Sequence, residues 1–366
     1  MRYHFYLAHP AHFHLFLNTI VGLRGKGHEV SISIKSKDVL EKLLIESGLE
    51  YVNISSAERK PGSLAAIIAM IKRNWYHLNL FSGKKPDVFI STSAEFAPLG
   101  RMLGIRCVSM FEDDLELFPV YSRVFVPFLN HQLCPAACSA GQWDKHPKTI
   151  HYAGNHELAY LRPNRFQADK SRIQHCISGN NKTFLIRFSR LDAWHDDGVK
   201  GIDNSLARKL IAMLQNHGRV WISSERPLPA ELEPLRLQIP ASDILHLVAH
   251  CDLYIGDSQT MTAEAAVLGT PAIRFNDFVG KIGYLEELEH RFGLCFSFRT
   301  DQADEMLACA ERLATSVNIK SEWETKRSTM LNETIDPTNL FVHFLDNYPT
   351  FVKESKQLYT SPQASA

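Results

Sequence analysis

The chain has 366 residues, 45% hydrophobic and 22% charged, with 40 basic residues balanced by 40 acidic ones. At about 150 residues per domain the length predicts two domains, and the even charge argues against general nucleic-acid binding, which usually shows as a basic excess. Seven cysteines, odd in number and without a C-x-x-C, exclude a disulfide framework and read as reduced thiols of a cytoplasmic protein.

In chain order, short apolar runs alternate with longer helical patterns, which is the signature of βα units and parallel sheets. The first half carries expected strands at 3–8, 29–34, 51–54, 87–92 and 106–111, with helices at 14–25, 38–48, 63–80 and 95–103. A second series begins near 183, with strands at 183–189, 219–224, 252–257, 271–275 and 294–298. Its helices are expected at 203–217, 241–250, 261–268, 282–291 and 302–315. Residues 318–348 read as two further helices, and the tail YTSPQASA as disordered. Two five-stranded parallel sheets in tandem predict two Rossmann-like domains, at 1–165 and 175–335, followed by a C-terminal helix and flexible tail at 336–366. LRPNRFQADKS (161–171) has a linker's proline and polar content. MRYHFYLAHP lacks the pattern of a secretory signal, and no run approaches the ~20 apolar residues of a membrane span. SLAAIIAMIKRNWYHLNLF (63–81) is amphipathic with basic and aromatic residues; such a helix either packs on a sheet or lies on a bilayer surface.

In such folds ligands bind at the carboxyl ends of strands, and the cleft between two such domains is the expected site. The most informative loop is DLYIGDSQTMTAEAAVLGTPAIRF (252–275). A strand ends at Asp257-Ser258, a hydroxyl-rich turn follows, and a small-residue helix runs to Gly269, with Pro271 opening the next strand. A helix N-terminus presents unpaired N–H groups and a positive dipole end, which suits a phosphate. Ser258, Gln259 and Thr260 form that turn, and Glu264 lies one turn in, where a carboxylate could accept two ribose hydroxyls. The alternative is a plain helix cap at Ser258 and a solvated acid at Glu264.

The string DSQTMTAEAAVLGTP resembles the nucleotide-binding motif of GT-B proteins such as UDP-N-acetylglucosamine 2-epimerase and the peptidoglycan glucosaminyl transferase. That resemblance implies a ribose-binding role for Glu264 and a phosphate-binding loop at Ser258, Gln259 and Thr260. Two glycines of the motif stand here as Gln259 and Thr260, and glycines permit the closest backbone approach to a diphosphate. HPAHFHLF (9–16) and TMTAEAAVLGTP (260–271) together resemble a domain-of-unknown-function family of predicted GT-B glycosyltransferases, over roughly residues 1–345. YAGNHELAYLRP (152–163) and the run from FLIRFS to AWHDD (184–197) are similar to that family as well. The resemblance implies an N-terminal acceptor domain, a C-terminal nucleotide-sugar domain, and no cofactor or metal.

HPAHFHLF then falls in the first βα loop. In several GT-B transferases this loop carries a histidine, which aligns with His14, with His12 as neighbour. A neutral imidazole there can take a proton from an attacking hydroxyl. The spacing of His9, His12 and His14 matches no common zinc site, and CPAAC at 134–138 is a weak metal signal. In the 2-epimerases a catalytic glutamate follows the strand comparable to 106–111, where Glu112 and Asp113 stand. The epimerases' G-D-T is absent, Ser91-Thr92-Ser93 and Glu95 standing in its place, as is their H-R-R-E-N. Arg190 could face a diphosphate and His195 could act near the sugar, while Arg226 lies where the base often stacks.

Three functions compete. The first is a glycosyltransferase using a nucleotide-sugar donor, UDP-linked, and a polysaccharide or lipid-linked acceptor, in the cytoplasm or at the inner face of the membrane. The second is a non-hydrolysing nucleotide-sugar 2-epimerase. The third is a non-catalytic nucleotide- or glycan-binding protein. Product analysis without an acceptor separates the first two; absence of any UDP-induced stabilisation would favour the third.

Overall fold

A computed structural model describes residues 1–35, 38–55, 63–177, 181–189 and 201–350. The expected disordered tail, Arg190 and His195 lie outside the described residues. The chain divides into two compact units, one formed by Met1–Tyr160 and the segment from Thr334 onward, the other by Leu161–Glu333.

The first unit holds strands β1 (Arg2–Leu7), β2 (Glu29–Lys35), β3 (Val52–Ser55), β4 (Val88–Ser91), β5 (Arg106–Met110), β6 (His131–Pro135) and β7 (Thr149–Tyr152). Its helices are α1 (Pro10–Gly25), α2 (Asp38–Glu46), α3 (Ser63–Gly83), α4 (Ala97–Leu103), α5 (Pro119–Phe125) and α6 (Leu158–Leu161), the last crossing the division. The second unit holds β8 (Lys182–Phe188), β9 (Gly218–Ser224), β10 (Leu253–Gly256), β11 (Ala272–Phe275) and β12 (Cys295–Phe298). Between and after them run α7 (Asn204–Gln215), α8 (Ile244–His250), α9 (Gln259–Leu268), α10 (Gly283–Glu286), α11 (Ala303–Thr315) and α12 (Ile319–Glu333). Helix α13 (Pro337–Asp346) belongs to the first unit.

Both sheets are parallel throughout, with orders β3-β2-β1-β4-β5-β6-β7 and β12-β11-β10-β8-β9. The order reverses between β1 and β4 in the first sheet and between β8 and β10 in the second, which makes these the topological switch points. The second sheet has the five strands expected. The first has seven rather than five. HQLCP and TIHY are too short and too mixed in polarity to read as buried strands alone: β6 carries His131 and Gln132, and β7 spans only Thr149–Tyr152. They become strands by pairing with β5 and with each other.

Central strands are buried on both faces because helices cover both, so β1 from Tyr3 to Leu7 and all of β10 are sealed. A polar thread runs inside the first core, where His4 Nε2 and His77 Nε2 each lie 2.8 Å from Ser33 Oγ. Burial lowers both imidazoles, His77 to about 3, so they stay neutral and satisfied by the hydroxyl. Helix α13 packs on α1 so closely that a Cβ on Gly22 would sit 2.8 Å from Val342 Cγ2. Phe344 on α13 is fully buried, its ring 5.7 Å from that of His131 and 5.3 Å from that of Tyr348. Phe344→Ala is expected to cost about 3–5 kcal/mol, read as a fall of several degrees in thermal unfolding; an unchanged melting temperature would separate α13 from this core.

Candidate active site

At the switch point of the first unit the loop after β1 turns directly into α1. The helix starts at Pro10, four residues before the expected 14, because Pro10 suits the first helical position and His9 caps it: His9 Nδ1 accepts the Ala11 N–H at 3.2 Å. His12 and His14 therefore stand on the first turns of a helix and not in the loop before it. His12 Nδ1 accepts the Ala8 N–H at 3.2 Å, so its proton is assigned to Nε2, 3.0 Å from Thr92 Oγ1. This bond spans the switch point, from the first turn of α1 to the β4 loop. His14 stacks on Tyr160 with ring centroids 5.3 Å apart and planes 27° apart. Burial pushes its imidazole down to about 4, so at neutral pH it is an uncharged proton acceptor.

Glu112 follows β5. Its Oε1 accepts the backbone N–H of His156 at 2.5 Å, and its Oε2 lies 3.2 Å from His156 Nδ1. Burial raises the Glu112 carboxyl well above the usual carboxylate range, and the charge of Glu157 raises it further. Burial also presses His156 down to about 3. Desolvation therefore favours the neutral form of both groups, sharing a proton between oxygen and nitrogen. His156 Nε2 is buried and finds no hydrogen-bond partner among the described residues. Of the neighbouring candidates, Asp113 is exposed and Glu95 is held by Arg73 at 2.7 Å.

In the second unit β10 delivers Asp257 and then Ser258 to the start of α9. Ser258 is the N-cap, its Oγ accepting the Met261 N–H at 3.3 Å, while Thr262 Oγ1 donates to the Ser258 carbonyl at 2.7 Å. Ser258, Gln259 and Thr260 are half-exposed; every residue from Met261 to Leu268 is buried, Glu264 included. At the capped helix start the N–H groups of Gln259 and Thr260, which have no intrahelical partner, form the positive end of the helix dipole. Glu264 is thus no solvated acid. Gly269 adopts the left-handed conformation, φ 81°, that ends α9.

Asp257 is almost wholly buried. Its Oδ1 accepts the Ser189 N–H at 2.6 Å, whereas Oδ2 has no hydrogen-bond partner among the described residues. Burial raises its carboxyl to about 6, against the opposing pull of the Ser189 N–H and of Arg226 and Arg187. Arg226 stacks over Phe188, its guanidinium carbon 4.7 Å from the ring centroid. Arg226, and Arg187 with its ion-pair partner Glu225, thus act on Asp257 beside the start of α9 at the β8/β10 switch point. The sequence signals for Asp257 and His156 are slight. Asp257 is an acid closing an apolar strand just before a cap, and His156 sits in YAGNHELAYLRP, a string noted for its resemblance but assigned no role.

The fold is GT-B, with two Rossmann-like parallel-sheet units. Among solved structures, the glycotransferase of kitacinnamycin matches with a TM-score of 0.64 at 12% identity, covering 94% of this chain and 97% of that one. Spinosyn rhamnosyltransferase SpnG, complexed with thymidine diphosphate, matches with a TM-score of 0.62 at 16% identity over 95% and 100%. UDP-GlcNAc 2-epimerase from Neisseria meningitidis, bound to UDP-GlcNAc, matches with 0.58 at 14% over 93% and 100%. No curated protein shows significant sequence similarity. The chain belongs to the family described as Protein of unknown function (DUF354), matched over residues 4–348.

The buried Asp257 has a stability consequence with a definite sign. Its folded-state value of about 6 lies above the ordinary 3.8, so ionisation penalises the folded state. The penalty is absent below about pH 4, grows to pH 6 and is constant above, at about 3 kcal/mol. Asp257→Asn, which keeps the acceptor for Ser189, is expected to raise the melting temperature at pH 8 and to match wild type at pH 4. Equal gains at both pH values would contradict the assignment.

Proposed function

We propose that the protein is a glycosyltransferase that moves a sugar from a nucleotide donor, UDP-linked, to a polysaccharide or lipid-linked acceptor. The observation that carries this reading is the half-exposed, capped start of α9 at the β8/β10 switch point, with Glu264 one turn behind it. Here the N–H groups of Gln259 and Thr260 and the Ser258 turn take the diphosphate, Glu264 takes the ribose, and Arg226 lies toward the base. Arg190 and His195 remain candidates for the diphosphate and the sugar.

The first unit supplies the acceptor chemistry. Neutral His14 removes the proton of an acceptor hydroxyl as that oxygen attacks the anomeric carbon. The bond from that carbon to the diphosphate breaks, and its electron pair leaves with the nucleotide. Negative charge grows on the leaving oxygen, where helix N–H groups and cations stabilise it without a metal. Glu112, the second candidate, is held toward its protonated form and so does not take that proton; beside His156, and with His12, it orders the loops around His14.

A thermal-shift panel of UDP, CDP, GDP and TDP tests the donor. UDP is expected to raise the melting temperature of wild type and to lose that effect in Glu264→Ala. Stabilisation by no nucleotide, or undiminished stabilisation of the variant, would reject the assignment. His14→Gln should keep the UDP response and lower turnover by about 10²–10⁴-fold. Formation of a 2-epimer from nucleotide sugar alone would instead establish the epimerase reaction.

A further inference from the structure

One face of the first unit has a composition that neither the core nor nucleotide chemistry explains. The crossovers β3–α3–β4, β4–α4–β5 and β5–α5–β6 all step the same way across the sheet. Right-handed connections therefore place α3, α4 and α5 on one face, and α1 and α2 on the other. Side-chain contacts tie the three together: Asn74 of α3 donates to the Glu95 carbonyl at 3.2 Å, and Tyr121 of α5 bonds the backbone N–H of Ala94.

Helix α3 packs inward through a mixed polar and aromatic side. His77 bonds Ser33, and Phe81 meets the ring of Phe89 at 5.3 Å. Its apolar stripe points outward instead. Ile67, Ile71 and Trp75, spaced by four residues, are exposed, Ile71 by 59% and Trp75 by 57%. Met102 on α4 is 82% exposed and Val120 on α5 is 72% exposed. Large exposed apolar residues gathered on one face mark an interaction surface.

The charges on this face select the partner. The sequences of α3, α4 and α5 contain no Asp or Glu. Lys72, Arg101 and Arg123 are exposed among the apolar groups, while Arg73 is taken up by Glu95. A second copy docking by two-fold symmetry would press this face against itself, bringing like charges together. An anionic bilayer surface complements it: cations meet headgroups while Ile71, Trp75 and Met102 enter the acyl boundary. Among the described residues no helix is long and apolar enough to cross a membrane.

We propose that the α3–α4–α5 face docks the protein on the surface of an anionic lipid bilayer. The proposal does not depend on the transferase reading. Its test is flotation of the full chain with vesicles of equal parts phosphatidylglycerol and phosphatidylcholine, and with phosphatidylcholine alone. Partitioning onto the anionic vesicles is expected to be about tenfold stronger and to weaken with salt. The exposed double variant Ile71→Glu/Trp75→Ala should lose about tenfold in partitioning with an unchanged melting temperature. Lys72→Glu with Arg101→Glu and Arg123→Glu should abolish the preference for anionic lipid. Absence of flotation, equal binding to both lipids, or variants that bind like wild type would overturn the proposal. So would a wild-type dimer in solution that Trp75→Ala dissociates. UDP stabilisation, measured without lipid, stands or falls separately.

Discussion

Parallel pairing is the constraint from which the rest of this protein follows. A strand hydrogen-bonded in parallel on both sides must be covered on both faces, and its chain can return only through a crossover. Side chains of β1 and β10 are therefore spent on burial, and polar chemistry is pushed to the loops at their carboxyl ends. Where the strand order reverses, two crossovers leave in opposite directions and the ends of adjacent strands open a gap. His12 meets Thr92 at that gap in the first unit, and Ser189 meets Asp257 at the equivalent gap in the second. The same topology arises twice, so the same class of position carries the candidate chemistry twice.

Desolvation outweighs charge attraction in both units, at Asp257 after β10 and at Glu112 and His156 after β5 and β7. Asp257 lies near Arg187 and Arg226, yet burial holds its carboxyl up rather than letting the cations pull it down. Glu112 and His156 touch, yet each is biased toward its neutral form. Such groups are costly to keep, and His156 Nε2 and Asp257 Oδ2 are among the buried side-chain atoms that find no hydrogen-bond partner among the described residues. The contrast with His4, Ser33 and His77 is direct: those buried polar groups bond one another.

Crossover handedness also sorts the helices of the first sheet into two unlike faces. One holds α1, against which α13 closes with Gly22 and Val342 in near contact. The other holds α3, α4 and α5, which turn apolar and cationic side chains outward. A helix can be amphipathic in either direction, and α3 spends its histidine and asparagine inward because Ser33 and the Glu95 carbonyl need partners there.

What the sequence determined by itself is local. The alternation of apolar runs with helical periods marked ten of the strands and their crossovers, and Ser258, Gly269 and Pro271 marked the limits of α9, because caps and breakers act within a few residues. The stretch that resembles the GT-B motif was legible for the same reason: its capping turn at Ser258 and its Glu264 stand only six residues apart. Tertiary structure decided whatever depends on partners distant in the chain. β6 and β7 exist as strands only through pairing across the sheet, and α13 returns to the first unit because its apolar face fits α1. His9 became a cap and His12 a bridge to Thr92, 80 residues on, while Glu112 met His156 across 44. Burial of Asp257, and so the state of its carboxyl, is a property of everything packed around it, and no short window of sequence contains that.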